Sequence, residues 1–346
     1  MQTGSRRGAA AGIRTAGIGL LCGLTAVSPL IGEGAGACAP AGSVLRLGFY
    51  AHFEPVSYSA DPDPASPGFD DHRGYEADLL TALEAMEGAN LTFDRGGIGA
   101  WDGIWQQPVG TEYDIVAGGI TILDSRTRDA SGRSVVVFTA GHITFRQSLL
   151  VRAADAERLS GHRDLTGADR VGVLTGTTGE ARFLELTGIA DAAGVLAAGT
   201  RVETAGGVVV ADGSADYVVG AAGATLGLAD RQRLWPVDED KPQVVYFTEE
   251  AAMIDALTAG RIDALARGEI GNRSTARAHG GALVVTALDA RAETGGFALA
   301  ARDADLAECL DRHIAWLTDS GRIGYREWHE APAIFLWRAR QWPGRE

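Results

Sequence analysis

The sequence predicts an α/β fold in two lobes, each a mainly parallel sheet flanked by helices. Two observations carry this. Strand-like apolar runs alternate with helix-like stretches from Val44 onward, and the alternation starts afresh near residue 170. Strands joined by helical crossovers are covered on both faces, so they read as near-continuous apolar runs. A chain of 346 residues, 46% hydrophobic and 22% charged, is long enough for a sizeable core and for two ordinary domains.

The elements follow in order. Residues 1–37 read as a removable signal peptide: Arg6, Arg7 and Arg14 give the positive start, AGIGLLCGLTAVSPLIG the apolar stretch, and Ala35-Gly36-Ala37 the small-residue cleavage site. The apolar stretch contains Pro29 and is shorter than the roughly 20 residues that a membrane-spanning helix needs. The protein is therefore expected to be exported, to a periplasmic or other extracytoplasmic place. Cys38 follows directly, so a lipid anchor on its sulfur stands as the alternative to an ordinary leader. Beyond the leader only Cys38 and Cys309 remain, which we read as neither a disulfide framework nor a cysteine metal site.

In the first set, VLRLGFY reads as a strand, SADPDPASPGFDDHR (59–73) as a surface loop, and YEADLLTALEAME as a helix; LTFDR, YDIVAGGIT and QSLLVRA read as further strands. The second set runs from DRVGVLTGTTGEARFLELTG through EEAAMIDALTAGRIDALARGE to ALVVTAL and GGFALAAR. The tail reads as an amphipathic helix, a stop at Gly321, and one more short helix. Lobe 1 is thus expected at residues 44–146 plus 298–346 and lobe 2 at 147–297, with crossings near QSLLVR and GGFALA. Residues 199–243, rich in glycine, form an elaboration of lobe 2 whose role the sequence leaves open.

A formal net charge of −14 argues against nucleic acid as a partner, since its binders concentrate positive charge. No GxSxG, HExxH or Walker-type loop is present, and no cofactor, metal or catalytic residue is expected from motifs.

The segment GGITILDSR has the chemistry of an anion site. Gly118 and Gly119 let backbone approach a ligand, Thr121 offers a hydroxyl, and Arg126 offers a planar fork that holds a carboxylate through two parallel hydrogen bonds. Capping of a surface turn beside Asp124 and Arg128 is the other reading of Arg126. In TGTTGE, Thr177 and Thr178 stand at a strand-to-helix turn whose free N–H groups favour an anion, and they equally suit capping of that helix with Glu180 in support.

Three stretches in order give these residues a setting. LRLGFYAHFEPVSY with GYEADLLTAL, AWDGIWQQPVGTEYDIVAGGITILDSR, and RVGVLTGTTGE resemble the extracytoplasmic solute-binding proteins of the amino-acid type that serve ABC importers (family 3, with the periplasmic binding protein type II fold). The resemblance covers residues 44–198 and 246–330. It implies a monomer that closes about a hinge on a small carboxylate, such as an amino acid, and presents it to a membrane permease. It makes Arg126 the clamp for the α-carboxylate, with Gly119, Thr121, Thr177 and Thr178 beside it, and puts Tyr50, Phe53 and Trp101 around the ligand.

The chain also departs from that pattern. Where the family has an aspartate for the α-ammonium, counting from Asp263 gives Gly268, with Glu269 one residue later. Either Glu269 substitutes, or the ligand lacks an ammonium. An enzyme like the cyclohexadienyl dehydratases on the same fold is the alternative function, with Glu54, Glu180 or Glu269 as acid, or His52 or His142; a free-standing sensor is another.

Overall fold

The computed structural model describes residues 36–344. The leader expected at 1–37 lies, except for its last two residues, outside the described residues. Among the described residues no helix is long and apolar enough to cross a membrane.

The first sheet has five strands in the order Phe93–Ile98, Leu45–Tyr50, Ile115–Ala117, Ala298–Ala300, Val136–Phe138. The first three are parallel, and Ala298–Ala300 runs antiparallel to both its neighbours. Helix Tyr75–Glu84 is the crossover between the first two strands in the chain. It buries Tyr75, Leu79, Leu80 and Leu83, which helical geometry places on one face. The chain therefore returns to the first sheet only after it has built the second.

The second sheet has eight strands, all between residues 143 and 295. At one edge the long strands Ile143–Arg152 and Leu283–Gly295 pair antiparallel. Their outer ends reach the first sheet, where Thr121 bridges to Gly295 and the Ile122 amide donates to the Thr294 carbonyl at 2.9 Å. At the other edge the glycine-rich elaboration supplies Arg201–Thr204, Gly207–Val210 and Arg231–Trp235 as antiparallel strands. A hairpin of Val219–Gly220 and Gly223–Ala224 projects from it.

Three expectations need correction. Residues 59–73 are more than a surface loop: Ser57–Ser59 and His72–Arg73 form a small antiparallel sheet with His52–Phe53, and Phe69 and His72 turn inward. A further helix, Ile334–Ala339, follows the two read in the tail and buries Phe335. Finally, Cys38 and Cys309 form a disulfide with their Cα atoms 5.4 Å apart. The Cys38 amide donates to the Ala89 carbonyl at 2.8 Å, which holds the strap beside helix Ala304–Leu317. The bond engages the sulfur that a lipid would need, so the structure speaks against the anchor at Cys38.

Candidate functional site

Between the sheets lies a cavity of about 50 Å³. Tyr50, Phe53, Trp101, Gly119 and Thr121 line it from the first lobe; Thr177 and Thr178 line it from the second. Tyr50 is the last residue of its strand, and Trp101 meets it edge-on at 5.1 Å between ring centres. The Trp101 Nε1 donates to the Gly176 carbonyl at 3.0 Å, so the aromatic wall is tied to the opposite lobe.

The two glycines of GGITILDSR are required by packing. Gly119 has φ +65, and a Cβ there would lie 2.6 Å from the Phe53 ring. Gly118 sits as closely on Tyr50. Their amides donate to Glu76, at 2.7 Å for Gly118 and 3.1 Å for Gly119. Glu76, fully buried in the first turn of its helix, also meets His142 Nε2 at 2.9 Å. The backbone N–H of Gly119 is thus already engaged, and what that residue offers the cavity is close approach.

Arg126 is 1% exposed and does not line the cavity. Its Nη1 donates to the Thr121 carbonyl at 3.1 Å, its Nη2 to Gly176 at 3.4 Å, and its Nε to Ala221 at the hairpin tip at 2.9 Å. The guanidinium stacks 4.3 Å from the Trp105 ring centre. Burial pushes its pKa down to about 9, with Glu293 acting in the opposite direction. Among the described residues no carboxylate lies within 4 Å of it, whereas Arg128, two positions on, pairs with Asp124 at the surface. The surface-turn reading therefore belongs to Arg128.

Glu269 starts helix Glu269–Ala278 and lies apart from this cavity, in a neighbouring cleft, 3.8 Å from Arg146 and 3.5 Å from Arg273. Gly268 does line the cavity. Thr177 caps helix Thr178–Leu186, its Oγ1 accepting from the Glu180 amide at 3.1 Å. Glu180 itself is buried, pairing with Arg231 of the elaboration at 2.6 Å and accepting from the Gly176 amide at 2.7 Å. Glu54 is exposed and His52 half-buried. The His142–Glu76 pair, invisible at a separation of 66 residues, serves the glycine loop from behind.

Sequence reasoning missed Phe145, Gln147, Glu250 and Arg267, which also line the cavity. Arg267 pairs with Glu250 at 2.5 Å and donates to Asn272 and Thr275. One signal was available: Gln147 and Ser148 are adjacent uncharged polar residues opening a strand whose next residues, Leu149 to Val151, are apolar and buried.

A second, wider cleft of about 620 Å³ adjoins the first, sharing Thr178. Its walls include Arg182, Arg291, Glu293 and the elaboration's residues Val218–Thr225. The elaboration therefore walls this cleft, and its Ala221 carbonyl holds Arg126 from that side.

Known proteins bear on this geometry. A "Probable histidine-binding protein" of Neisseria gonorrhoeae is 30% identical over 172 residues, which are 49% of this chain and 58% of that protein. The chain thus spans little more than half the length of that curated relative. The structure of holo ArgBP from T. maritima matches with a TM-score of 0.52 at 20% identity, covering 83% of this chain and 96% of the other. The ancestral amino acid-binding protein AncCDT-1, a precursor of cyclohexadienyl dehydratase, gives 0.55 at 20%, with 83% and 94% covered. An amino acid ABC transporter substrate-binding protein from Streptococcus pneumoniae, bound to L-arginine, gives 0.54 at 18%, with 86% and 94% covered. At such identities the structural likenesses establish the two-lobed fold. Residues 45–330, nearly everything from the first strand to the helix Tyr325–Glu330, match the sequence profile of one family, and by that match the chain belongs to the bacterial extracellular solute-binding proteins, family 3.

Proposed function

We propose that this protein is the extracytoplasmic substrate-binding component of an ABC importer, taking a small carboxylate, most simply an amino acid, by closure of its two lobes. The observation that carries the reading is the composition of the cavity: aromatic rings from one lobe and hydroxyls at a helix start from the other meet around one small space. A ligand held there stabilises the closed form by its differential affinity for it. Arg126 belongs to the first lobe, while the Gly176 and Ala221 carbonyls that take its Nη2 and Nε belong to the second. On binding, the ligand's carboxylate displaces those carbonyls from the fork as the lobes close around it, with Thr121 and Thr178 completing its hydrogen bonds. Export through the leader, action as a monomer and delivery to a membrane permease belong to the same reading.

Binding without turnover is the simpler account of the acids. Glu180 and Glu250 are each neutralised by an arginine, and Glu269 lies outside the cavity. The test is a thermal-shift panel of amino acids, deaminated analogues, dicarboxylates and prephenate, with the ligand recovered and analysed. A one-site binder at a thousandfold excess over Kd gains about 4 kcal/mol. Stabilisation by an amino acid recovered intact supports the binding protein; conversion of prephenate would replace it with the dehydratase.

A further inference from the structure

We propose that Glu293, helped by the Gln147 side-chain oxygen, receives the ligand's ammonium group and so takes over the task for which Gly268 carries no carboxylate. The inference deepens the amino-acid reading and rests on it.

Of the carboxylates around the cavity, Glu76 is taken up by the Gly118 and Gly119 amides and His142, and Glu180 by Arg231. Glu250 is paired with Arg267, and Glu269 faces Arg146 and Arg273 from outside. Glu293 differs. It is half-buried on the strand Leu283–Gly295, lines the wider cleft, and has no cation within 4 Å among the described residues. One oxygen accepts from Thr121 Oγ1 and the other from Gln147 Nε2, both at 3.0 Å. A carboxylate has about four acceptor sites, so two remain for a ligand.

Gln147 supplies an independent sign. It is 4% exposed and lines the cavity, and its amide nitrogen is used by Thr178 and Glu293 while its oxygen has no partner. A buried acceptor left unmatched costs about 1 to 3 kcal/mol, and a ligand N–H relieves it.

Thr121 joins both charges, its carbonyl accepting from Arg126 and its hydroxyl donating to Glu293. One threonine therefore touches both the buried cation and a carboxylate that has no cation within 4 Å among the described residues. Thr178, from the other lobe, reaches Thr121 Oγ1 at 3.4 Å and Gln147 at 3.1 Å, so the four side chains assemble across the lobe boundary. The Arg267–Glu250 pair offers the same two charges but spends them on each other.

The experiment is calorimetric titration of the whole exported protein with the twenty L-amino acids, each beside its 2-hydroxy acid, for the wild type and for Glu293→Gln, Gln147→Met and Glu269→Gln. The isosteric Glu293→Gln keeps an oxygen to accept from Gln147 and places an NH2 that donates to a turned Thr121 hydroxyl, and thermal unfolding without ligand checks its fold. The wild type is expected to prefer its amino acid over the hydroxy acid by at least about 100-fold, from the one to two buried charge-assisted bonds involved. Glu293→Gln should remove most of that preference by weakening the amino acid alone; Gln147→Met should reduce it by about tenfold, and Glu269→Gln should leave it intact. A preference that survives in Glu293→Gln, or that disappears in Glu269→Gln, overturns the assignment. So does a wild type that binds hydroxy acids equally well, although lobe closure on a carboxylate would then stand. A wild type that binds no member of the panel overturns both.

Discussion

Arg126 is the residue on which the binding reading turns. Its charge is held under two tryptophans by carbonyls alone, so a carboxylate that reaches it gains an interaction little screened by water. Arg126→Ala is expected to weaken carboxylate binding at least about 100-fold in titration calorimetry, and Arg126→Lys nearly as much because the fork is lost. Arg128→Ala, at an exposed pair, should change affinity less than about twofold. Gly119→Ala should destabilise the fold by about 1 to 3 kcal/mol in urea unfolding, because φ +65 and the Phe53 ring both oppose a side chain. His72 supplies a pH dependence. Burial against Phe49 holds its pKa well below the ordinary value of 6.5, so the unfolded chain binds a proton that the folded one refuses. The His72 contribution to stability is then flat above pH 6.5 and falls as pH drops toward the folded pKa, by up to about 1.4 kcal/mol per unit. His72→Gln should lessen that acid slope in urea titrations repeated between pH 7 and pH 5. Of the residues that line the cavity, the glycines, the threonines and, Phe145 apart, the aromatics were legible because local motifs carry them. Gln147, Glu250 and Glu293 were not, since their partners stand 17 to 172 residues away on other elements.

Among the elements, the elaboration was the least legible. Its strands are short, its pairing slips register between Glu203 and Thr204, and its glycines give no period. One buried residue fixes it: Arg231 reaches across to Glu180 behind the TGTTGE turn, at 2.6 Å, and lies over the Tyr246 ring. Glu180 was read as a helix-capping residue or an acid, and only the fold reveals its cation. Glu180→Gln or Arg231→Met leaves a buried charge unmatched and should cost about 3 to 5 kcal/mol, measured by urea unfolding. Glu180→Leu combined with Arg231→Met should cost less than either alone. By contrast the parallel strands and their helices were readable, because burial on both faces writes long apolar runs into the chain.

At the scale of the molecule, two lobes were visible from the repeated alternation and the family resemblance. The covalent tie between Cys38 and Cys309 was not, because two cysteines separated by 271 residues have no local signature. An oxidising compartment suits this bond. Cys38→Ser should lower stability by about 2 to 5 kcal/mol in reversible unfolding, since the open chain gains the conformations that a long closed loop forbids. The leaderless protein should also resist maleimide labelling under denaturant until it is reduced.

The same bond changes how the protein responds to a pull. Every strand of both sheets lies between Cys38 and Cys309, inside the closed ring. Tension applied at the two ends of the chain therefore bypasses both sheets and travels through sulfur. At roughly 3.5 Å per residue, the 271-residue separation hides about 95 nm of contour length until a reductant releases it. Stretched in optical tweezers, the oxidised protein should yield only its short tail, and the reduced protein its whole length.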